Sequence, residues 1–288
     1  MSKGRLYPKE SRLALDERTG VSIRQVTSAP AIHHHPFFMI PAYDDAMQWT
    51  IFVSERTGAP QIFAEVRATG ELLQLTDRPD LSDWSIHPSH DGKYVYFTAG
   101  TGGWRVNIST LEEEQLIDLG DVTLREEGMV AAAMGTTALS TDDRWWAIKF
   151  NVGSDACLSI TNTQTGKSEI ILRRDTISHL QFCPDDPGLI FYAGPLTDRV
   201  WVINRDGTGN RRLARATTGI TKSIAPFAGT VTMRSSSGNC NLALEISTET
   251  VRSTADSLRS CKRKSLSRPP SVKLNDSGTF TDVRSNRS

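Results

Sequence analysis

One turn-and-strand unit recurs along this chain, and a repeat of that length constrains the fold more than any other feature of the sequence. The turn Ala42-Tyr-Asp-Asp-Ala46 precedes the run Trp49-Thr-Ile-Phe-Val53, then Arg56-Thr-Gly58, Gln61-Ile-Phe-Ala64, Thr69-Gly70 and Leu73-Gln-Leu-Thr76. The unit returns as Ser89-His-Asp-Gly-Lys93 before Tyr94-Val-Tyr-Phe-Thr98, and as Ser140-Thr-Asp-Asp-Arg144 before Trp145-Trp-Ala-Ile-Lys-Phe150. A fourth copy reads Cys183-Pro-Asp-Asp-Pro187 before Leu189-Ile-Phe-Tyr192. The aspartates Asp44, Asp91, Asp142 and Asp185 stand 47, 51 and 43 residues apart. Asp and Gly close tight turns, and β-branched and aromatic runs fill strands buried on both faces. Small sheets of this kind bury their faces by stacking on one another around an axis. The expected fold is therefore all-β, a β-propeller of about four four-stranded blades over residues 28–215. A β-sandwich is the alternative, and it leaves the three near-equal spacings unexplained.

The two ends of the chain depart from the unit. Asp16-Glu-Arg-Thr-Gly20 followed by Ile23-Arg-Gln-Val-Thr27 repeats only the last part of it, so residues 1–27 are expected to supply an outer strand that closes the ring. Residues 220–288 contain fourteen serines, two phenylalanines and no Trp, Tyr or His, a composition that cannot bury enough apolar area to offset its ordering entropy. Residues 216–288 are expected to form a disordered tail, in which Arg259-Ser-Cys-Lys-Arg-Lys264 reads as a solvated charge run. The abrupt step near residue 216 is what a frameshifted or truncated reading frame would produce. Reading the DNA in the other two frames tests that idea.

Charge and composition narrow the function classes. Thirty-three basic and thirty-three acidic residues cancel, and no basic stripe with interleaved aromatics runs through the repeats, so nucleic acid is not an expected partner. Nowhere do eighteen consecutive apolar residues occur, and no apolar run follows the basic start Met1-Ser-Lys-Gly-Arg5, which points to no membrane partner and a cytoplasmic location. Cys157, Cys183, Cys240 and Cys261 form no C-x-x-C pair, in keeping with a reducing compartment.

At Ile32-His-His-His-Pro36, Pro41-Ala-Tyr-Asp-Asp45 and Phe52-Val-Ser-Glu-Arg-Thr-Gly58 the chain resembles the oligogalacturonate lyases. The likeness continues at His179-Leu-Gln-Phe-Cys-Pro-Asp-Asp-Pro187 and Trp201-Val-Ile-Asn-Arg-Asp-Gly207, and spans roughly residues 5–215. Part of it is shared with TolB-type propellers, so a non-catalytic binding scaffold is the alternative function. The resemblance implies a cytoplasmic seven-bladed propeller that breaks short galacturonate oligomers by β-elimination in pectin breakdown, with a bound manganese ion. Such chemistry needs a base beside the weakly acidic C5 proton and positive charge beside the adjacent carboxylate.

His179 stands where the family's basic histidine would be, at the start of the fourth unit's inner strand. In His33-His34-His35, neighbouring strand residues point to opposite faces, so only His33 and His35 could act together, either on one ion or by lining the funnel against substrate. Arg56 and Arg199 are candidates to fork onto substrate carboxylates. The implied metal ligands are missing. The family's T-H-E segment should follow Arg211-Arg-Leu-Ala-Arg215, where this chain reads Thr218-Gly-Ile-Thr-Lys-Ser223, and no Q-x-x-H-x-H segment exists because no histidine follows His179. The family's catalytic arginine near Cys157-Leu158 has no counterpart either. The expectation is weak or absent lyase activity, with no metal ligand identified. A chain of four blades also exposes two blade faces, so self-association is expected.

Overall fold

The computed structural model describes residues 2–120 and 137–214. Nineteen strands and no helix occur among the described residues. First come β1 (Leu6–Tyr7), β2 (Arg12–Leu15) and β3 (Ser22–Gln25). Blade 1 is β4 (His33–His34), β5 (Trp49–Ser54), β6 (Gln61–Val66) and β7 (Leu72–Gln74). Blade 2 is β8 (Leu81–Pro88), β9 (Tyr94–Ala99), β10 (Gly102–Asn107) and β11 (Glu113–Asp118). Blade 3 is β12 (Thr137–Leu139), β13 (Trp145–Val152), β14 (Asp155–Asn162) and β15 (Ser168–Arg174). Blade 4 is β16 (Ser178–Cys183), β17 (Asp186–Ala193), β18 (Val200–Asn204) and β19 (Arg211–Ala214). Each blade is an antiparallel meander in sequence order, and β1 pairs outside β7 as a fifth strand of blade 1. The residues from 216 to 288, with the composition step, lie outside the described residues.

Strand alternation explains how the blades stack. In β6, Ile62 and Ala64 join a core shared with Ile86, Val95 and Phe97 of blade 2, while Phe63 between them faces the other way. Tyr96, Leu116 and Ile117 meet Trp146, Ile148 and Phe150 between blades 2 and 3. Ala147, Leu158 and Ile160 meet Leu180, Ile190 and Tyr192 between blades 3 and 4. Each such side chain contributes about 1.5–3 kcal/mol when fully buried, so three apolar seams carry most of the stability. Arginines add to the seams by lying over rings of the neighbouring blade: Arg78 over Trp104 at 4.1 Å, Arg174 over Trp201 at 4.3 Å and Arg205 over Trp145 at 3.7 Å.

The face of blade 1 turned away from blade 2 is covered, which corrects the expectation of two bare faces on this side. Tyr7 and Val26 pack on Phe52 and Phe63. The Arg56 guanidinium lies over the rings of Tyr7 and Phe63 and forks onto Glu10, at 2.8 and 3.3 Å. Burial works to raise the Glu10 carboxyl, but hydrogen bonds from Arg56, Thr27 and the Ser28 N–H outweigh it and hold the pKa at about 2. Arg24 forks in the same way onto Glu65, whose side chain is wholly buried. The segment expected to close the ring forms the hairpin β2–β3, turned through Gly20 at φ +71°. A ring-closing partner for it would come after residue 214, outside the described residues.

The repeated turns show a finer register than their aspartates suggest. Asp44 Oδ1 accepts from the N–H groups of Gln48 and Trp49, at 2.9 and 2.8 Å. Ser89 Oγ accepts in the same way from Lys93 and Tyr94, and Ser140 Oγ accepts from Trp145. Asp44 thus matches Ser89 and Ser140, and the aspartates Asp91 and Asp142 accept from those serines instead. The aspartate register is two residues out in blade 1.

Neighbouring turns are also tied together. Asp143 accepts from the backbone N–H groups of His90 and Asp91, both at 3.0 Å, and its Oδ1 lies 2.7 Å from His90 Nδ1. Thr141 Oγ1 donates to the Pro184 carbonyl at 3.0 Å, tying blade 3 to blade 4. The hydrogen bond to Asp143, opposed by burial and aided by Asp45 and Asp142, raises the His90 pKa. A raised histidine pKa gives stability that is complete below the unfolded value of about 6.5 and is lost as pH climbs through the folded one. His87, its ring 6.2 Å away, works in the opposite sense, since burial holds it down to about 4. His87 enters the difference between wild type and Asp143→Asn only through the small pull of the Asp143 charge on it, since burial sets most of its shift. That difference, measured by urea unfolding, is expected to be about 0.5–1 kcal/mol larger at acidic than at alkaline pH. A gap that does not change with pH would show that His90 carries no charge in the pair.

Candidate functional site

The pairing registers set which residues share an end of the blades. Ser178 pairs with Ala193, so the start of β16 lies beside the loop from β17 to β18, which carries Arg199. His33 pairs with Ser54, so the start of β4 lies beside the loop that carries Arg56. The repeated turns lie at the opposite end.

His179 stands second in β16, at the start of the inner strand, as the sequence implies. Between Ser178 and Gln181 the register against β17 slips by one residue, because Ser178 faces Ala193 and Gln181 faces Phe191. This bulge sets His179 at φ +50°, a left-handed conformation that histidine tolerates better than most non-glycine residues. It turns the imidazole out of the ladder. Burial first, and then the Arg199 charge, hold His179 below the ordinary imidazole range, so the ring is a neutral base at pH 7. Arg199 is half-buried and donates from Nη1 to the Gly194 carbonyl at 3.0 Å, and among the described residues no other acceptor meets its fork. Burial also lowers the Arg199 pKa. His179 and Arg199 are the two sequence-predicted residues that the structure brings together.

The third part of the site comes from blade 1. After His34 the chain leaves the sheet and returns at Tyr43, which bridges Thr50. The detour Pro36-Phe-Phe-Met-Ile-Pro41 crosses to blade 4. The buried ring of Phe37 stacks on His179 with centroids 5.6 Å apart, and Gln181 Nε2 donates to Met39 Sδ at 3.3 Å. Phe38, tilted against Phe37 at 4.3 Å, is 63% exposed.

The other candidates lie elsewhere. His33 meets Phe52 edge-on at 6.2 Å and bonds through Nε2 to the Ala29 carbonyl, which turns it toward the N-terminal segment. His35 is exposed, with Nδ1 close to the Pro36 carbonyl. Arg56, only 6% exposed, spends its fork on Glu10 and Thr27. The alternation argument holds for the pair in β4: His34 points away from His33 and stacks on Trp84 at 4.3 Å, with Nε2 3.3 Å from Asp83 Oδ2. Sequence reasoning missed His34, Asp83, Trp84 and the detour. The detour had a signal, since four apolar residues between two prolines fit neither a strand nor a solvated turn.

Among the described residues no group of three or more His, Cys, Asp or Glu side chains converges as a metal site would require. The described residues therefore do not fit the manganese ion that the resemblance implies. Cys157 and Cys183 are buried, and Cys240 and Cys261 lie outside the described residues. No helix among the described residues is long and apolar enough to cross a membrane.

No protein-family model matches the sequence, and no curated protein sequence matches it. Solved structures do match. An oligogalacturonate lyase in complex with manganese is 20% identical with a TM-score of 0.64, and an oligogalacturonate lyase from Vibrio parahaemolyticus is 18% identical with a TM-score of 0.65. Each match covers 75% of this chain and 62% of the other, so the chain spans less than two thirds of the length of those proteins. At such identities the likeness speaks for architecture alone: the chain is a β-propeller whose blades are folded like those of the oligogalacturonate lyases.

Proposed function

We propose that this chain acts on short galacturonate oligomers as a β-eliminating lyase of low turnover, with His179 as the base and Arg199 as the partner of the substrate carboxylate. The observation that carries the reading is the pairing of a half-buried imidazole, held neutral, with an arginine whose fork meets one carbonyl among the described residues. In the step proposed, His179 takes the C5 proton of the uronate. The electron pair of that C–H bond becomes the C4–C5 double bond, the C4–O bond to the neighbouring sugar breaks, and the departing oxygen takes a proton from water. The imidazolium then returns its proton to solvent. Arg199 offsets the charge that builds on the carboxylate while the proton is in transit. A manganese ion, like the one named with a structural neighbour, would supply positive charge of the same kind, but the residues described here do not gather a donor set for it, and turnover is proposed to be slow for that reason. A cytoplasmic setting goes with this reading, as does self-association through blade surfaces left unpaired.

Incubating the protein with digalacturonate and following the 5-keto-uronate product tests the proposal. Slow product formation is expected, reduced about a hundredfold in His179→Ala. The lowered His179 pKa predicts that the rate falls on acidification only below the ordinary histidine range. Unchanged turnover in His179→Ala would show that the base is another residue. Digalacturonate that neither binds nor reacts would favour the binding-scaffold alternative.

A further inference from the structure

From the same site we infer a sugar-stacking residue: Phe38 is the platform on which a second sugar of the oligomer rests while the first presents C5 to His179. This rests on the galacturonate reading and extends it to a position outside the reacting centre. The observations are geometric. Phe38 is a large aromatic side chain, 63% exposed, in the middle of an otherwise packed detour. Its neighbour Phe37 is 4% exposed and lies on His179, so two ring contacts of 4.3 and 5.6 Å join Phe38 to the base.

The detour is held in place from both sides. Pro36 and Pro41 fix φ at its ends, the Ile40 N–H donates to the Phe37 carbonyl at 2.7 Å, and Gln181 holds Met39. An exposed ring on a braced segment loses little conformational freedom when a ligand covers it. The ligand's chemistry follows from the surroundings. A pyranose presents a flat face of C–H groups that suits the electron-rich face of an aromatic ring, while its carboxylate and hydroxyls need polar partners. Arg199 supplies a cation beside the same base, and exposed His35 sits immediately before the detour. An exposed ring joined through Phe37 to a base that has a cation beside it fits a uronate oligomer better than a neutral lipid or an apolar peptide.

Titration calorimetry with digalacturonate tests the assignment on the full chain and on Phe38→Ala, Phe38→Trp and His179→Ala. Phe38→Ala is expected to weaken binding about three- to tenfold, the worth of one aromatic contact, and Phe38→Trp to restore it. Because the side chain is exposed, both variants should keep the wild-type melting temperature. The indole introduced in Phe38→Trp should also change the tryptophan emission when the sugar is added by more than the six native tryptophans change it in wild type. Unchanged affinity in Phe38→Ala, with wild-type binding intact, overturns the platform and leaves the lyase reading standing. Equal weakening in Phe38→Ala and Phe38→Trp also overturns it, since the ring would then matter only for packing. Wild-type protein that binds no digalacturonate overturns both readings together.

Discussion

Arg24→Ala is expected to destabilise the protein by about 3–5 kcal/mol, because it strips the counter-ion from a carboxylate that has no other route to water. The Glu65 side chain is wholly buried, and both of its oxygens accept from the Arg24 guanidinium. Moving the Glu65 carboxylate out of water costs several kcal/mol, which the charge of Arg24, itself partly exposed, offsets only while it is present. The double variant Arg24→Met with Glu65→Leu should therefore recover most of the loss, since a packed apolar pair carries no desolvation penalty. Urea unfolding of the two single variants and the double one gives the coupling directly. A loss below about 1 kcal/mol in Arg24→Ala would mean that the β2–β3 segment lifts off blade 1 and lets water reach Glu65.

Trp146→Ala is expected to cost about 3–5 kcal/mol for a different reason, the cavity left in the seam between blades 2 and 3. Trp146 is fully buried, and its ring lies 5.4 Å from that of Tyr96. The fit around it is tight: a Cβ added at Gly103 would come within 2.8 Å of the Trp146 ring and 2.3 Å of Ile117. So little free space leaves no neighbour able to move into the void. Among the described residues the buried indole Nε1 has no hydrogen-bond partner, and an orphan donor of this kind costs stability in the native residue. Trp146→Phe removes that donor and keeps most of the ring, and should cost clearly less than Trp146→Ala in the same unfolding assay. Equal costs would show that the full width of the indole, rather than aromatic packing, holds the seam.

The strands that could be read in advance were those bounded by turn residues and filled with β-branched or aromatic side chains. Trp49, Tyr94 and Trp145 each begin a strand where the sequence places one. The inner strands were harder, because their openings are polar and irregular. β8 starts Leu81-Ser-Asp-Trp and slips register before His87, and β4 is only two residues long. Of the proposed site, the position of His179 near the start of β16 was legible, since it follows from strand order alone. Its cover was not, since Met39 and Gln181 meet across 142 residues of chain. Arg56 and Arg199 show the limit most clearly. Each sits in the loop after the second strand of its blade, yet one is spent on Glu10 and the other is not, and nothing local to either residue tells them apart.

The three seams have a mechanical consequence. Each blade shares its main apolar face with the next, so the array behaves largely as a row of links, with the detour of blade 1 reaching across to blade 4. In such a row the weakest joint sets where the molecule parts. The outer face of blade 1 is clasped by the N-terminal segment with its ion pairs, whereas the joint around Trp146 rests on apolar packing, the His90–Asp143 tie and the hydrogen bond from Arg105 to the Thr163 carbonyl. Loosening that middle joint would split a single melting step into two, with the half that carries Arg24 and Glu65 and the half that carries His179 coming apart at different temperatures.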